Sequence, residues 1–325
     1  MKTKIFIIGA LVLLLGVIIY ILIDLFSAKP VARENPFDYG MEEIKKSDSN
    51  LKVYREVSQV RPGMEEIYGL ATGPCDRIYV TGKGGVEVYD SSGNIVYHFP
   101  VDGNPGPVTI GRQGMIWLGV EDHIEVTDSA GKVIKKWKAA NDASIITGIA
   151  VSGQNVFVAD AGNKVVYRYD LSGKQMNRIG EKDPQNNIPG FVIPSPWFDL
   201  GIDKEGFLWV VNPGRHQFEK YSFDGKLLSK WGMASNTIDG FCGCCNPSHF
   251  AFLGDGSFVT SEKGIERVKV YSPEGDFRWI VASPDLFVEG TKGLDIAVDS
   301  RNRILVLDPG KKLVRIFKKI ETAEN

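Results

Sequence analysis

Short runs of β-branched and aromatic residues, separated by Gly, Asp, Asn and Ser turns, fill the chain from residue 51 onward. In most runs apolar and polar residues alternate with a period of two, which is typical of half-buried strands. The clearest run occurs six times, at Val86–Tyr89, Ile124–Thr127, Val166–Tyr169, Phe218–Tyr221, Val268–Tyr271 and Val314–Phe317. Five of the six are followed by a turn ending in glycine, at Gly93, Gly131, Gly173, Gly225 and Gly275. The pattern therefore predicts a repeated unit of short strands.

Two further strands precede this run in every unit, as Gly69–Ala71 and Ile78–Val80 do in the first. Six units with four short strands each are typical of a six-bladed β-propeller, an all-β fold. The sixth unit has only three strands, so we expect residues 51–57 to add the fourth and close the ring. An elongated β-sandwich is the alternative.

One unit resembles the NHL repeat, and the residues that carry the resemblance are Gly148–Val151, Val156–Val165 and Tyr169–Lys174. The stretch 296–310 is similar more loosely. The resemblance covers residues ~65–318 and implies a six-bladed propeller of the membrane-anchored bacterial type. It implies little about activity, because propellers of this kind include sensors, scaffolds, lyases and lactonases.

The N-terminus departs from the strand pattern. Ile5–Ile23 is uncharged and aliphatic, and Lys2 and Lys4 precede it. Nineteen helical residues nearly span a ~30 Å hydrocarbon core, and flanking cations tend to stay in the cytoplasm. We therefore expect a cytoplasmic segment 1–4, a transmembrane signal anchor 5–26, a juxtamembrane linker 27–50, an extracytoplasmic propeller 51–318 and a tail 319–325. A cleavable signal peptide is the alternative.

Composition excludes one class of partner. The chain has 325 residues and a net charge of −2, with 38 basic and 40 acidic side chains. The chain therefore lacks the excess of basic residues that is typical of nucleic-acid-binding proteins. The expected partners are the membrane, through the N-terminal helix, and another protein or a small ligand on the propeller.

Two enlarged loops, Gly180–Pro196 and Gly232–Pro247, flank the fourth unit and are predicted to lie side by side on the face that usually binds ligands. Long loops on a rigid scaffold often carry function. The residues predicted to form a ligand or partner face there are Asp160, Trp197, Asp199, Asn212, His216, Phe241, Asp295 and Asp308. The aromatic members either line that surface or pack the loops down.

The second loop contains Cys242, Cys244 and Cys245, with His249 four residues on. Soft ligands at this spacing suit zinc, copper or an iron–sulfur cluster. Outside the cytoplasm a redox or structural disulfide is equally compatible, either between Cys242 and Cys245 or, with strain, between adjacent cysteines. Cys75 is predicted to lie on the opposite face. The sequence leaves metal, redox and structural roles open.

The position just before the first strand of each unit forms a column, which runs Gly69, Pro107, Gly148, Asp199, His249, Asp295. Consecutive units thus bring Asp199, His249 and Asp295 to one mouth of the central channel, where they can hold a cation such as calcium or zinc, or position a water. Aspartates that cap turns between units are the structural alternative. The resemblance to the NHL family also concerns these three residues. NHL-like lyases hold zinc with several histidines in the channel, and in this chain only His249 occupies an equivalent place.

The sequence favours a membrane-anchored, extracytoplasmic binding or scaffolding module. The alternatives are a metal-dependent lyase or hydrolase centred on the channel mouth, and a thiol or metal redox accessory protein.

Overall fold

The computed structural model of the protein describes Gly9, residues 12–21 and residues 51–320. Residues 12–21 are helical and their side chains are exposed. Among the described residues, no helix has both the length and the apolar character that crossing a bilayer requires. The predicted segment 1–4, most of the predicted anchor 5–26, the linker 27–50 and the tail beyond 320 lie outside the described residues.

Residues 51–320 form six four-stranded antiparallel sheets. The innermost strands of successive sheets contact one another in a closed series, and the sixth contacts the first. This confirms the predicted all-β six-bladed propeller. The strands, in chain order, are β1 (Tyr54–Val60), β2 (Ile67–Thr72), β3 (Ile78–Gly82), β4 (Gly85–Tyr89), β5 (Ile95–Pro100), β6 (Pro105–Ile110), β7 (Ile116–Val120), β8 (His123–Thr127), β9 (Val133–Lys138), β10 (Ile146–Ser152), β11 (Asn155–Asp160), β12 (Val165–Asp170), β13 (Gln175–Ile179), β14 (Leu200–Ile202), β15 (Leu208–Asn212), β16 (Gln217–Tyr221), β17 (Leu227–Trp231), β18 (His249–Phe252), β19 (Phe258–Glu262), β20 (Arg267–Tyr271), β21 (Phe277–Ala282), β22 (Ile296–Val298), β23 (Ile304–Asp308) and β24 (Leu313–Lys319).

Blades one to five each use four consecutive strands, from β2–β5 to β18–β21, and blade six has the order β1-β24-β23-β22. The N-terminal strand therefore closes the ring, as the three-stranded last repeat predicted. It runs over Tyr54–Val60 rather than residues 51–57, because Lys52 instead bridges to Ile280 of β21 in blade five. The first residues of the body thus join two blades.

A buried arginine reinforces this closure. Arg315 of β24 donates from Nη1 to both carboxylate oxygens of Glu56 on β1, at 3.1 and 3.0 Å. Its Nε donates to Asp308 Oδ2 of β23 at 2.9 Å. The guanidinium thus satisfies a buried carboxylate and ties the first strand of the body to the last.

The core lies between the blades, where the inward residues of each sheet pack on the next. The largest cluster surrounds blades four and five and is rich in aromatic rings. Phe218 of β16 stacks on Trp231 of β17 with ring centroids 4.5 Å apart, and Phe258 of β19 lies 5.2 Å from Phe218. This packing gives the two enlarged loops a rigid base.

We call the face that carries the blade-to-blade connections the upper face. Residues 180–199 connect β13 to β14, and residues 232–248 connect β17 to β18, so both enlarged loops lie there as predicted. Cys75 lies in the turn Pro74–Asp76 between β2 and β3. That turn is at the lower end of blade one, which also agrees with the prediction.

Candidate functional site at the channel mouth

Three side chains from three blades meet at the upper mouth of the central channel. Asp199 precedes β14, His249 begins β18 and Asp295 precedes β22. His249 Nδ1 lies 3.7 Å from Asp199 Oδ2 and 3.6 Å from Asp295 Oδ1. One ligand atom from each residue lies within 4.8 Å of the other two, and no other described His, Cys, Asp or Glu residues form such a group. The column predicted from the repeat thus converges in space.

The backbone holds both carboxylates in place. Asp199 accepts hydrogen bonds from Leu200 N at 2.8 Å and from Phe250 N of the next blade at 3.1 Å. Asp295 accepts in the same way from Ile296 N and from Leu70 N of blade one, both at 2.8 Å. Each aspartate therefore joins two blades, which is the structural role considered as an alternative. A carboxylate has about four acceptor positions, so two amide donors leave capacity for a further ligand.

His249 takes the place in blade five that aspartate has in blades four and six. The edge of its ring meets the Trp197 ring with centroids 5.6 Å apart. Its Nε2 is buried and has no hydrogen-bond partner among the described residues. An unpaired buried polar atom is costly unless a ligand or a water satisfies it, so Nε2 marks a place where an additional group would be stabilised.

The charges of the three residues are coupled. Burial lowers the pKa of His249, but the nearby carboxylates of Asp199 and Asp295 outweigh burial and raise that pKa above the usual value. Burial raises the pKa of Asp295 to about 6, although the His249 charge acts in the opposite direction. With both carboxylates ionised and the imidazole protonated, the group has a net charge of −1, which favours a cation.

The group borders a cavity of about 520 Å³ in the channel, lined by inner-strand residues of all six blades. Gly148 of β10 lies against the group, since a Cβ built there would come within 3.2 Å of Asp199 Oδ1. The volume accommodates a hydrated cation or a small molecule.

The cysteine loop, residues 232–248, is packed down on blade five. Lys269 of β20 is fully buried and donates to Ile238 O at 3.0 Å and to Gly240 O at 2.7 Å. Phe241 is also buried, and its ring lies 5.4 Å from that of Tyr271. Phe241 therefore anchors the loop in the core, the second of the two roles considered for the loop aromatics.

All four cysteines have free thiols. Cys242 is buried and its Sγ points to Asn236 Oδ1 at 3.7 Å, whereas the sulfurs of Cys244 and Cys245 lie 3.0 Å apart. Within residues 51–320, these thiols and His249 do not come together as one set of ligands. The predicted soft-metal site of three cysteines and a histidine is therefore not assembled in this structure.

Asp160, Asn212 and Asp308, predicted for the ligand face, have buried side chains. The polar atoms of each side chain interact with neighbouring residues of the protein. Asp160 accepts a hydrogen bond from Ile145 N, Asn212 accepts one from Val192 N, and Asp308 pairs with Arg315. They end the second strands of their blades, and Asp160 and Asn212 hold the loops that lead into those blades. Turn-capping, rather than ligand contact, explains these positions.

His216 follows the turn Pro213–Arg215 of blade four, with φ of 57°. It is half-buried on the upper face, and its Nδ1 has no hydrogen-bond partner among the described residues. The structure keeps His216 beside the enlarged loops but does not bring it into the group at the channel mouth.

Ser195 and Lys263 were not predicted as site residues. Lys263, in the turn between β19 and β20, donates from Nζ to Ser195 Oγ at 2.9 Å, and both contact Cys245. A serine or a lysine in a turn forms no recognisable sequence motif. The only signal in the sequence was the predicted proximity of the two enlarged loops, which contain Ser195 and Cys245.

The fold is similar to that of known lyases. Streptogramin B lyase is 12% identical with a TM-score of 0.58, covering 82% of this chain and 97% of that chain. Virginiamycin B lyase from Staphylococcus aureus is 12% identical with a TM-score of 0.57, covering 82% and 99%. A catalytically inactive histidine-to-alanine variant of that lyase, with quinupristin, is 14% identical with a TM-score of 0.52, covering 83% and 90%. At these identities the similarity shows the fold alone. No family model matches the sequence, and no curated protein matches it.

Proposed function

We propose that this protein is a ligand-binding propeller whose channel mouth takes a divalent cation, with Asp199, His249 and Asp295 as ligands. The observation that carries the proposal is the convergence of these three groups, within 4.8 Å of one another, beside a cavity of about 520 Å³. Two carboxylates and an imidazole suit Zn²⁺ and Mn²⁺. The amide hydrogen bonds on both carboxylates orient them before any ligand arrives.

Cation binding is expected to release a proton. A divalent cation that displaces the His249 proton turns a group of net charge −1 into one of net charge zero. Because both aspartates raise the pKa of His249, the proton competes more strongly than at an ordinary histidine. Affinity therefore increases as the pH rises through the pKa of His249.

Calorimetric titration of the full-length protein with Zn²⁺ and Mn²⁺ at two pH values tests this. We expect one equivalent bound, more tightly at the higher pH, and a loss of more than about tenfold in affinity in His249→Ala. The matched control is His98→Ala, since His98 is exposed on β5, and it should bind as the unmodified protein does. Absence of binding, or equal affinity in His249→Ala, would contradict the proposal.

The upper face is proposed to present this site to a partner beside the membrane. Val192 and Met233, one on each enlarged loop, are exposed at 41% and 51%. Apolar side chains on neighbouring loops favour contact with another protein. If the face is an interface, shortening either loop abolishes co-purification of a partner, whereas His249→Ala leaves it intact.

Tethering to the membrane with the propeller outside the cytoplasm belongs to the same proposal, as does membership of the NHL type. It is supported by the uncharged run Ile5–Ile23 behind Lys2 and Lys4. A reporter enzyme that is active only outside the cytoplasm, fused after Asn325, should be active and should sediment with membranes. Activity in the soluble fraction would indicate a cleaved signal peptide, and an inactive reporter would contradict the orientation.

A lyase is the second candidate, and one observation favours it. The His249 Nε2 is buried and unpaired, next to two carboxylates that can orient the ring as a general base. A structurally similar lyase is inactive when one histidine is replaced. Incubation with quinupristin, followed by chromatography, separates the candidates: conversion that depends on His249 supports a lyase, and cation binding without conversion supports a binding module.

A further inference from the structure

The adjacent thiols of Cys244 and Cys245 form a pair that the channel-mouth site does not use. Their sulfurs are 3.0 Å apart. Cys244 is exposed, whereas Cys245 is only 3% exposed. At this distance one sulfur can hold a proton that the other accepts, so the two thiols differ in chemistry although they are neighbours in sequence.

Three segments of the chain surround Cys245. Ser195, from the loop 180–199, and Lys263, from the β19–β20 turn, both lie near enough to its sulfur to lower its pKa, and Lys263 Nζ donates to Ser195 Oγ at 2.9 Å. Lys263 is itself fixed: its backbone N donates to Asn246 Oδ1 at 2.9 Å, and Asn246 Nδ2 donates to Lys263 O at 3.0 Å. The arrangement places the Lys263 ammonium group and the Ser195 hydroxyl beside the sulfur of Cys245 rather than that of Cys244.

These contacts favour ionisation of Cys245 over ionisation of Cys244. Burial alone would raise its pKa, but hydrogen bonds from Ser195, Cys244 and Lys263, with the Lys263 charge, lower it. The hydrogen bond to Cys245, followed by burial, raises the pKa of Cys244. Cys245 is thus the more readily ionised of the two thiols, and Cys244 is the one that keeps its proton. A stabilised thiolate next to a protonated thiol is the arrangement in which one cysteine is oxidised and the second resolves the product.

We propose that Cys244 and Cys245 are a redox-active pair that a small hydroperoxide converts to a disulfide. The Cys245 thiolate attacks the peroxide O–O bond, which forms the S–O bond of a sulfenic acid and releases water after uptake of a proton. The Cys244 sulfur then attacks the Cys245 sulfur, which forms the S–S bond and releases a second water. In balance, two thiols and hydrogen peroxide give one disulfide and two waters.

The burial of Cys245 selects the size of the oxidant. A cysteine residue that is only 3% exposed is shielded from large disulfides, whereas hydrogen peroxide is small enough to approach it. A disulfide between adjacent residues closes a small ring, so an external dithiol readily reduces it and returns the pair to its starting state. The proposal does not depend on cation binding at the channel mouth.

The test begins with the reduced full-length protein, which is treated with hydrogen peroxide, quenched with catalase and assayed for free thiols and by peptide mass spectrometry. Of the four thiols, two should be lost, and the peptide that contains Cys244 and Cys245 should be lighter by two hydrogens. Cys244→Ser should stop at a sulfenic acid on Cys245, trapped by dimedone. Lys263→Gln should slow the reaction on the order of tenfold.

The matched control is Cys242→Ser, which changes a buried thiol of the same loop and should still lose the pair at the original rate. The proposal is overturned if the disulfide includes Cys242, if all four thiols survive a dose that oxidises a free cysteine peptide, or if exposed Cys75 reacts as fast as Cys245. Should Cys244→Ser not fold, the rate in Lys263→Gln decides, and an unchanged rate also overturns the proposal.

Discussion

Asp295 links blade six to blade one, and its replacement by asparagine tests how the channel mouth is held. Its carboxylate accepts amide hydrogen bonds from Ile296 N and Leu70 N, and faces His249 Nδ1 at 3.6 Å. The asparagine side chain would keep nearly the same shape and remove the titrating group. Because the asparagine NH2 group replaces one of the two accepting oxygens, the change with pH, rather than the absolute difference, reports the protonation of Asp295.

The magnitude follows from the pKa of Asp295, which burial raises from 3.8 to about 6. Between these values the folded state binds a proton that the unfolded state has lost, so stability decreases as the pH rises. At about 1.4 kcal/mol per pKa unit, the loss is about 3 kcal/mol. His249 acts in the same direction: its folded pKa is raised, so its contribution is fully present below the unfolded value and is lost as the pH rises through the folded value.

Urea unfolding of the unmodified protein and Asp295→Asn at pH 4, 5, 6 and 7 measures this effect. The free energy of unfolding of the unmodified protein, relative to the variant, should fall by about 2 kcal/mol from pH 4 to pH 7, because pH 4 already lies just above the unfolded pKa of 3.8. Asp170→Asn is the control: turn hydrogen bonds, first that of the Ser172 side chain, lower the pKa of this half-buried aspartate, so it titrates below the window. A constant or rising difference between unmodified protein and Asp295→Asn would refute a raised pKa.

Two further substitutions test the framework that supports the site. Arg315→Ala removes the partner of buried Asp308 and should lower the free energy of unfolding by about 3–5 kcal/mol in urea; a change below about 1 kcal/mol would contradict its role in closing the ring. Lys269→Met deprives Ile238 O and Gly240 O of their donor and should speed amide hydrogen exchange in residues 238–245 by more than about tenfold. Unchanged exchange would show that packing of Phe241 alone holds the loop.

The fold could be predicted because each repeat has the same alternation of apolar and polar residues, with turn glycines at equivalent positions. The alternating strands and the turn glycines, such as Gly93 and Gly131, gave the number of blades and their boundaries. The three-stranded last repeat required closure by the N-terminal strand. Its start at Tyr54 rather than Leu51 depended on a bridge from Lys52 to blade five, which no local pattern encodes.

The repeat also predicted the group at the channel mouth. Once the blades are in phase, Asp199, His249 and Asp295 occupy one column, and a propeller brings that column around its axis. The same logic placed Asp160, Asn212 and Asp308 at the ends of second strands. Alignment alone could not show that these side chains turn inward to bind backbone amides.

The cysteine loop lay beyond sequence reasoning, because its contacts come from outside the repeat. The spacing of Cys242, Cys244 and Cys245 suggested a metal or a disulfide. What distinguishes Cys245 is Ser195 from another loop and Lys263 from another turn. Irregular loops have no periodicity that predicts such neighbours, so the pairing emerges only from tertiary structure.

Anomalous diffraction from crystals of the protein soaked in Mn²⁺ or Zn²⁺ tests the cation site most directly. We predict one strong peak at the channel mouth, within bonding distance of Asp199, His249 and Asp295, which is absent from crystals of His249→Ala. A channel mouth without a peak, or a peak that persists in His249→Ala, would contradict the assignment of these three residues as cation ligands.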